Sequence, residues 1–107
     1  MTPKQQLETL LNQICKIAWV TPEDVRSGGK HRRFAYVRHA FCIIAPEEFP
    51  FADPEMITEM VGVKKGSMTY YLNENEIIEK KNYVEKIKKA LGAMSGGLTG
   101  VLIAKNI

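Results

Sequence analysis

Two segments, Thr21-Pro22-Glu23-Asp24 and Asp53-Pro54-Glu55, put a capping side chain directly before a proline, and each forces a helix to begin there. A first helical residue has no use for its N–H, so proline loses nothing at that position and its fixed φ suits it. In the first segment Asp24 also stands where it reaches back to the cap residue, completing a capping box. Around these starts the apolar residues recur at spacings of three and four. Leu7, Leu10, Leu11, Ile14, Cys15 and Ala18 make one face of a first helix, with Lys4, Gln5, Glu8, Thr9 and Gln13 opposite. The helix opened by Thr21 is short, because Ser27-Gly28-Gly29 stops it. From about His31 a third helix carries Phe34, Val37, Phe41 and Ile44 on one stripe, with Arg32, Arg33, Tyr36 and His39 mostly outside it.

Pro46 is expected to end that helix, and the aromatics of the Glu47 to Ala52 connection to close the bottom of the core. A fourth helix from Pro54 buries Met56, Ile57, Met60 and Val61, and Gly62-Val63 makes the turn that follows. A fifth helix turns Met68, Tyr71 and Leu72 inward. Its first turn and opposite face offer Lys64, Lys65, Gly66, Ser67, Thr69, Tyr70 and Asn73. Ile77, Ile78, Val84, Ile87 and Leu91 are spaced for a continuing or a separate C-terminal helix. The reading is an all-α small helical bundle of about five to six helices. Residues 1–91 form the domain and 92–107 a Gly-rich tail, whose Val101 to Ile107 fits a short strand, a docking segment or disorder equally.

A chain of 107 residues is one domain, long enough for a modest core and too short for a large enclosed active site. Cys15 and Cys42 lie in apolar periodic segments and form no CxxC or zinc-finger spacing, so they read as reduced, buried thiols. His39 and Cys42, even with His31 and Cys15, match no metal-ligand pattern, and no cofactor is implied. A Cys–His nucleophile would lack an oxyanion loop and a third group. No apolar run approaches the roughly 18 residues that span a bilayer, and no signal-peptide pattern opens the chain, so a cytoplasmic location is expected.

The net charge of +3 is mild, and the arrangement of charge says more than its sum. Lys30 to Arg38 holds four Lys/Arg, and no carboxylate occurs between Val25 and Ala45. A cationic run tied to an apolar helical face points to a polyanion, with double-stranded DNA first among candidates. The fourth and fifth helices, joined by a tight glycine turn over about 20 residues, have the helix-turn-helix pattern. The plain alternative is an αα-hairpin in a small bundle. The run Glu85-Lys86-Ile87-Lys88-Lys89 reads as a solvated helix face, and Tyr70 and Tyr71 suit stacking on a sugar-phosphate or, for Tyr71, the core.

Ile14 to Val25, with Val20-Thr21-Pro22-Glu23-Asp24-Val25 at its end, resembles the hydrophobic lead-in and V-T-x-E-D-L helix of the C-terminal DNA-binding domain of the DnaA family of bacterial replication initiators. Lys30-His31-Arg32-Arg33 and Val37-Arg38-His39 are similar to that family's basic loop and following helix. Pro54-Glu55-Met56 sits at its P-E-I, and Gly62 to Met68 at its signature G-R-D-H-T-T-V. The segments stay in register from Ile14 to Met68, about half the chain. No Gly-x4-Gly-Lys-Ser/Thr phosphate loop is present, so the resemblance implies either a stand-alone relative, of phage or mobile-element kind, or one whose motor lies on another chain.

The resemblance also implies roles. Lys30 stands where an arginine enters the minor groove, and a cation gains there over narrow A·T-rich sequence. Arg32, Arg33, Arg38 and His39 fall at or beside basic positions near phosphates, where contacts position without specifying. Lys64, Lys65, Gly66 and Ser67 replace the Asp-His-Thr-Thr that reads base edges, with Tyr70 beside them, and Val63 replaces an arginine. Lysine only donates, so it favours guanine O6/N7 or phosphate over a cytosine amino group. The docking mode therefore carries over and the family's recognition sequence does not. Expected partners are duplex DNA and replication proteins, in a replication or transcription role; the alternative is a protein-interaction module of the same fold that modulates a host initiator. An enzyme or a purely structural domain is the third reading.

Overall fold

The computed structural model of the chain describes residues 2–27, 31–64 and 66–93, and these form six helices and no strand. Lys30, Lys65 and the segment 94–107 lie outside the described residues. Helix α1 (Pro3–Ala18) starts on a capping box in which Gln5 N–H donates to Thr2 Oγ1 at 3.2 Å and Thr2 N–H to Gln5 Oε1 at 2.9 Å. It ends at Trp19, whose left-handed backbone (φ 61°) turns the chain and leaves the indole exposed. Thr21 and Asp24 make the expected capping box, and α2 (Pro22–Arg26) follows.

Helix α3 (Arg32–Glu48) is the axle of the fold. It packs against α1, α2, α4, α5 and α6, and every residue from Val37 to Ala45 is buried. The expected single apolar stripe is therefore replaced by burial on all sides. Pro46 does not end the helix, which runs on to Glu48 and closes with Phe49 N–H donating to Ala45 O at 2.8 Å. A proline removes its own N–H but leaves the carbonyls behind it free to accept, so one more half-turn survives. In the connection that follows, Phe49 packs on the core, whereas Phe51 is 100% exposed and closes nothing.

Helix α4 (Pro54–Met60) is capped by Asp53, which accepts from Glu55 N–H at 2.9 Å. It buries Ile57, Thr58 and Met60, with Val61 just beyond. Gly62 N–H donates to Glu59 O and Val63 N–H to Thr58 O, the paired bonds of a Schellman stop, and Gly62 supplies the positive φ (70°) it needs. Helix α5 (Met68–Glu74) has no buried residue: Met68 and Tyr71 are half-buried against the core, and Leu72, expected inward, is 56% exposed. Helix α6 (Ile78–Ala93) is separate from α5 and buries Val84, Ile87 and Leu91, while Ile77 and Ile78 face solvent. Arg32 meets Glu79, Tyr36 meets Tyr83 and Glu47 meets Lys88, in the same order along both helices, so α3 and α6 run parallel. Among the described residues no helix is long and apolar enough to cross a membrane.

Candidate nucleic-acid interface

The basic segment enters α3 through His31, whose Nδ1 accepts from Arg33 N–H at 3.1 Å and whose ring tilts against Phe34. Arg32 and Arg33 occupy the first turn, which has no acidic residue, and both are exposed. Two cations thus sit on the positive end of a 17-residue helix, an arrangement that favours an anion nearby. One anion comes from α6. Arg32 Nη2 lies 3.4 Å from Glu79 Oε2, and Tyr36 Oη donates to the same oxygen at 3.3 Å. The stretch free of carboxylates in sequence is therefore not free of them in space.

Two of the expected phosphate contacts are corrected. Arg38 is only 8% exposed, and its Nε–H donates to Val25 O at 2.7 Å. His39 is 1% exposed, with Nε2 3.0 Å from Asn75 Oδ1 and its ring against Tyr71. With Asn75 Oδ1 accepting, Nε2 carries the proton and Nδ1 is a buried acceptor with no partner. Burial pushes the His39 pKa down; Asn75 and Glu74 oppose that push and Lys80 adds to it. A side chain sealed in the centre of the bundle cannot touch a duplex, so both residues hold the fold and neither docks it.

The turn at Gly62, between α4 and α5, lies against the end of α2. A Cβ at Gly62 would collide with the carbonyl oxygen of Arg26, and Arg26 Nε–H donates to Met60 O at 3.0 Å. Only a glycine lets these two backbones touch. Lys64, Gly66 and Ser67 come next, and they precede α5 instead of forming its first turn. Ser67 is the cap residue, yet its side chain makes no capping hydrogen bond. Lys64 and Gly66 are exposed. Tyr70 is exposed on α5, edge-on to Tyr71, with Lys80 Nζ 5.8 Å from its ring centroid. Lys80 is itself paired with Glu74 at 3.2 Å.

Tyr36, Glu79 and Lys80 join this face without having been singled out. Tyr36 was within reach of sequence reasoning, since it stands four residues after Arg32, on the same side of one helix. Glu79 lies 47 residues from Arg32, and no local pattern links them. Beside the Gly62 turn, Glu8, Asp53, Glu55 and Glu59 outnumber Lys4 and Arg26 around a groove between α1, α2 and α4, and Asp53 and Glu55 also line a shallow pocket with Gly66; that part of the surface repels a polyanion. Comparisons with protein-family models, with curated proteins and with solved structures return no match to the chain.

Proposed function

We propose that the chain is a binding protein for double-stranded DNA and not an enzyme. A basic arm of Lys30, Arg32 and Arg33 engages one part of the duplex, and the segment Lys64 to Ser67 with Tyr70 engages another. The observation that carries this reading is the contact between Gly62 and the Arg26 carbonyl. Ser27 follows Arg26 and Val63 follows Gly62, so in sequence this contact is followed on one segment of the chain by the cations up to Arg33 and on the other by Lys64. Cations that flank one spot can follow a phosphate backbone together, and a short, outward α5 is free to face a groove. Arg38 and His39 have no part in this version. Replication proteins are secondary partners, and association with the nucleoid follows from the DNA itself.

The experiment is anisotropy of a labelled random duplex. With about four phosphates neutralised, affinity falls roughly a hundredfold between 50 and 200 mM salt. Lys30→Ala weakens binding most on A·T-rich duplex, as minor-groove entry requires. Absence of duplex binding at low salt overturns the reading. One observation favours a protein-interaction module instead: Leu72, Ile77 and Ile78 are exposed around the α5–α6 turn. A partner held there is released by Leu72→Ser and Ile78→Ser and is nearly insensitive to salt.

A further inference from the structure

Arg32 and Tyr36, one turn apart on α3, aim their donors at a single oxygen. The guanidinium carbon stands 5.5 Å from the centroid of the Tyr36 ring, and Tyr83 of α6 braces that ring edge-on at 5.2 Å. Aromatic packing thus supports the Tyr36 ring from behind and gives the guanidinium a second contact besides the acceptor. The acceptor, Glu79, is held loosely. Its contacts are long, 3.4 and 3.3 Å, and the Arg32 and Glu79 side chains are 77% and 71% exposed. Exposed pairs of this kind add little to stability.

We propose that Arg32 and Tyr36 form a two-donor oxyanion site for a phosphodiester of the duplex, and that Glu79 occupies it in the free protein as an internal competitor. This rests on the duplex-binding reading and adds a regulatory contact to it. A phosphodiester offers two unesterified oxygens where the carboxylate offers one bonded atom, so it takes both donors with shorter, charge-assisted bonds. Before that exchange, the Glu79 charge repels the incoming backbone. Binding therefore requires Glu79 to swing out, which weakens indiscriminate contact and leaves the exchange to duplexes that also engage the rest of the interface.

Glu79→Gln keeps the shape and removes the charge. It raises duplex affinity at low salt by roughly three- to tenfold, the change that about 0.7–1.4 kcal/mol of relieved competition produces. Adding Arg32→Gln or Tyr36→Phe to Glu79→Gln returns affinity to the parent level or below; Tyr36→Phe retains the ring that supports Arg32, and thermal melts check that each variant is folded. Equal duplex affinity for Glu79→Gln and the parent chain overturns the competitor. Titration with pyrophosphate, followed by NMR at Arg32 Nε–H and the Tyr36 ring, tests the site without DNA. Shifts at both residues that are larger in Glu79→Gln support it even when no duplex binds, in which case the duplex reading alone falls. Absence of shifts in Glu79→Gln overturns the oxyanion site, whatever the duplex result.

Discussion

Arg38 donates its Nε–H to the carbonyl oxygen of Val25 across 2.7 Å, tying the central helix α3 to the short α2. Val25 is fully buried, so its carbonyl is shielded from water, and Arg38 supplies it with a donor. Arg38→Met keeps most of the stem and removes the donor. The expected loss is about 1–3 kcal/mol, the cost of leaving a buried acceptor unpaired. Urea unfolding measures it as a lower midpoint with an unchanged slope. Duplex affinity of the folded variant stays at the parent level. A variant of full stability with weakened binding would return Arg38 to the DNA surface.

The helix starts show where sequence reading succeeds, and Arg38 and His39 show where it stops. The starts of α2 and α4 were legible in Thr21-Pro22-Glu23-Asp24 and Asp53-Pro54, because a cap and its helix are only three residues apart. Gly62 was legible too, since a helix stop with positive φ is a local demand. Arg38 and His39 were misplaced because a helix packed on all sides loses the contrast between faces, and their partners Val25 and Asn75 are 13 and 36 residues away. Leu72 and Phe51 erred the other way: apolar character pointed inward, but α5 is too short and peripheral to bring more than Met68 and Tyr71 against the core, and in the α3–α4 connection Phe49 packs there in place of Phe51. The candidate interface was half legible. Its cations were plain in the sequence, and the carboxylate that answers them was not.

Gly62 and Gly66 both adopt positive φ, yet their surroundings differ and so do the expected effects. An alanine Cβ at Gly66 meets nothing within 4 Å, so Gly66→Ala carries only backbone strain, about 1 kcal/mol. At Gly62 the same Cβ strikes the Arg26 backbone, which no rotamer can relieve. Gly62→Ala is expected to cost about 3 kcal/mol or more, strain plus displacement of the turn. Urea unfolding of the two variants side by side checks the ranking. Equal losses would mean that the contact between the two segments is not maintained in solution.

Cys15 and Cys42 are free and buried, and burial raises their pKa values to about 11 and about 12. At Cys15 the nearby Arg26 opposes that rise, without cancelling it. The thiolate is the reactive form, so near pH 8 both groups are almost wholly protonated as well as shielded. Neither is expected to react with a disulfide reagent in the folded protein beyond the rate at which the structure opens. In denaturant both react at once. A rapid native phase for either thiol would place it at the surface.

His39 makes stability depend on pH in a definite direction. Its folded pKa lies below the ordinary 6.5, with burial as the first cause. The unfolded chain therefore binds the proton more readily, and stability rises with pH wherever the two states differ in protons bound. The contribution is full above about pH 6.5 and is lost as pH falls below it, levelling off only once the buried ring itself is protonated. The protonated ring would also carry a new donor at Nδ1, which has no acceptor in reach. The groups that face it are Tyr71, Glu74 and Asn75 from α5 and its end, and Lys80 from α6. Glu48 works in the opposite sense: burial and Glu47 raise its pKa from 4.5, so its contribution is complete below that value and declines as pH rises. His39→Gln separates the two, because a glutamine can still donate to Asn75 Oδ1 and does not titrate. Urea midpoints taken from about pH 7 down to about pH 5 should fall for the parent chain and stay nearly level for the variant. If the variant falls as steeply as the parent, another group is responsible and the His39–Asn75 contact does not confer the pH dependence.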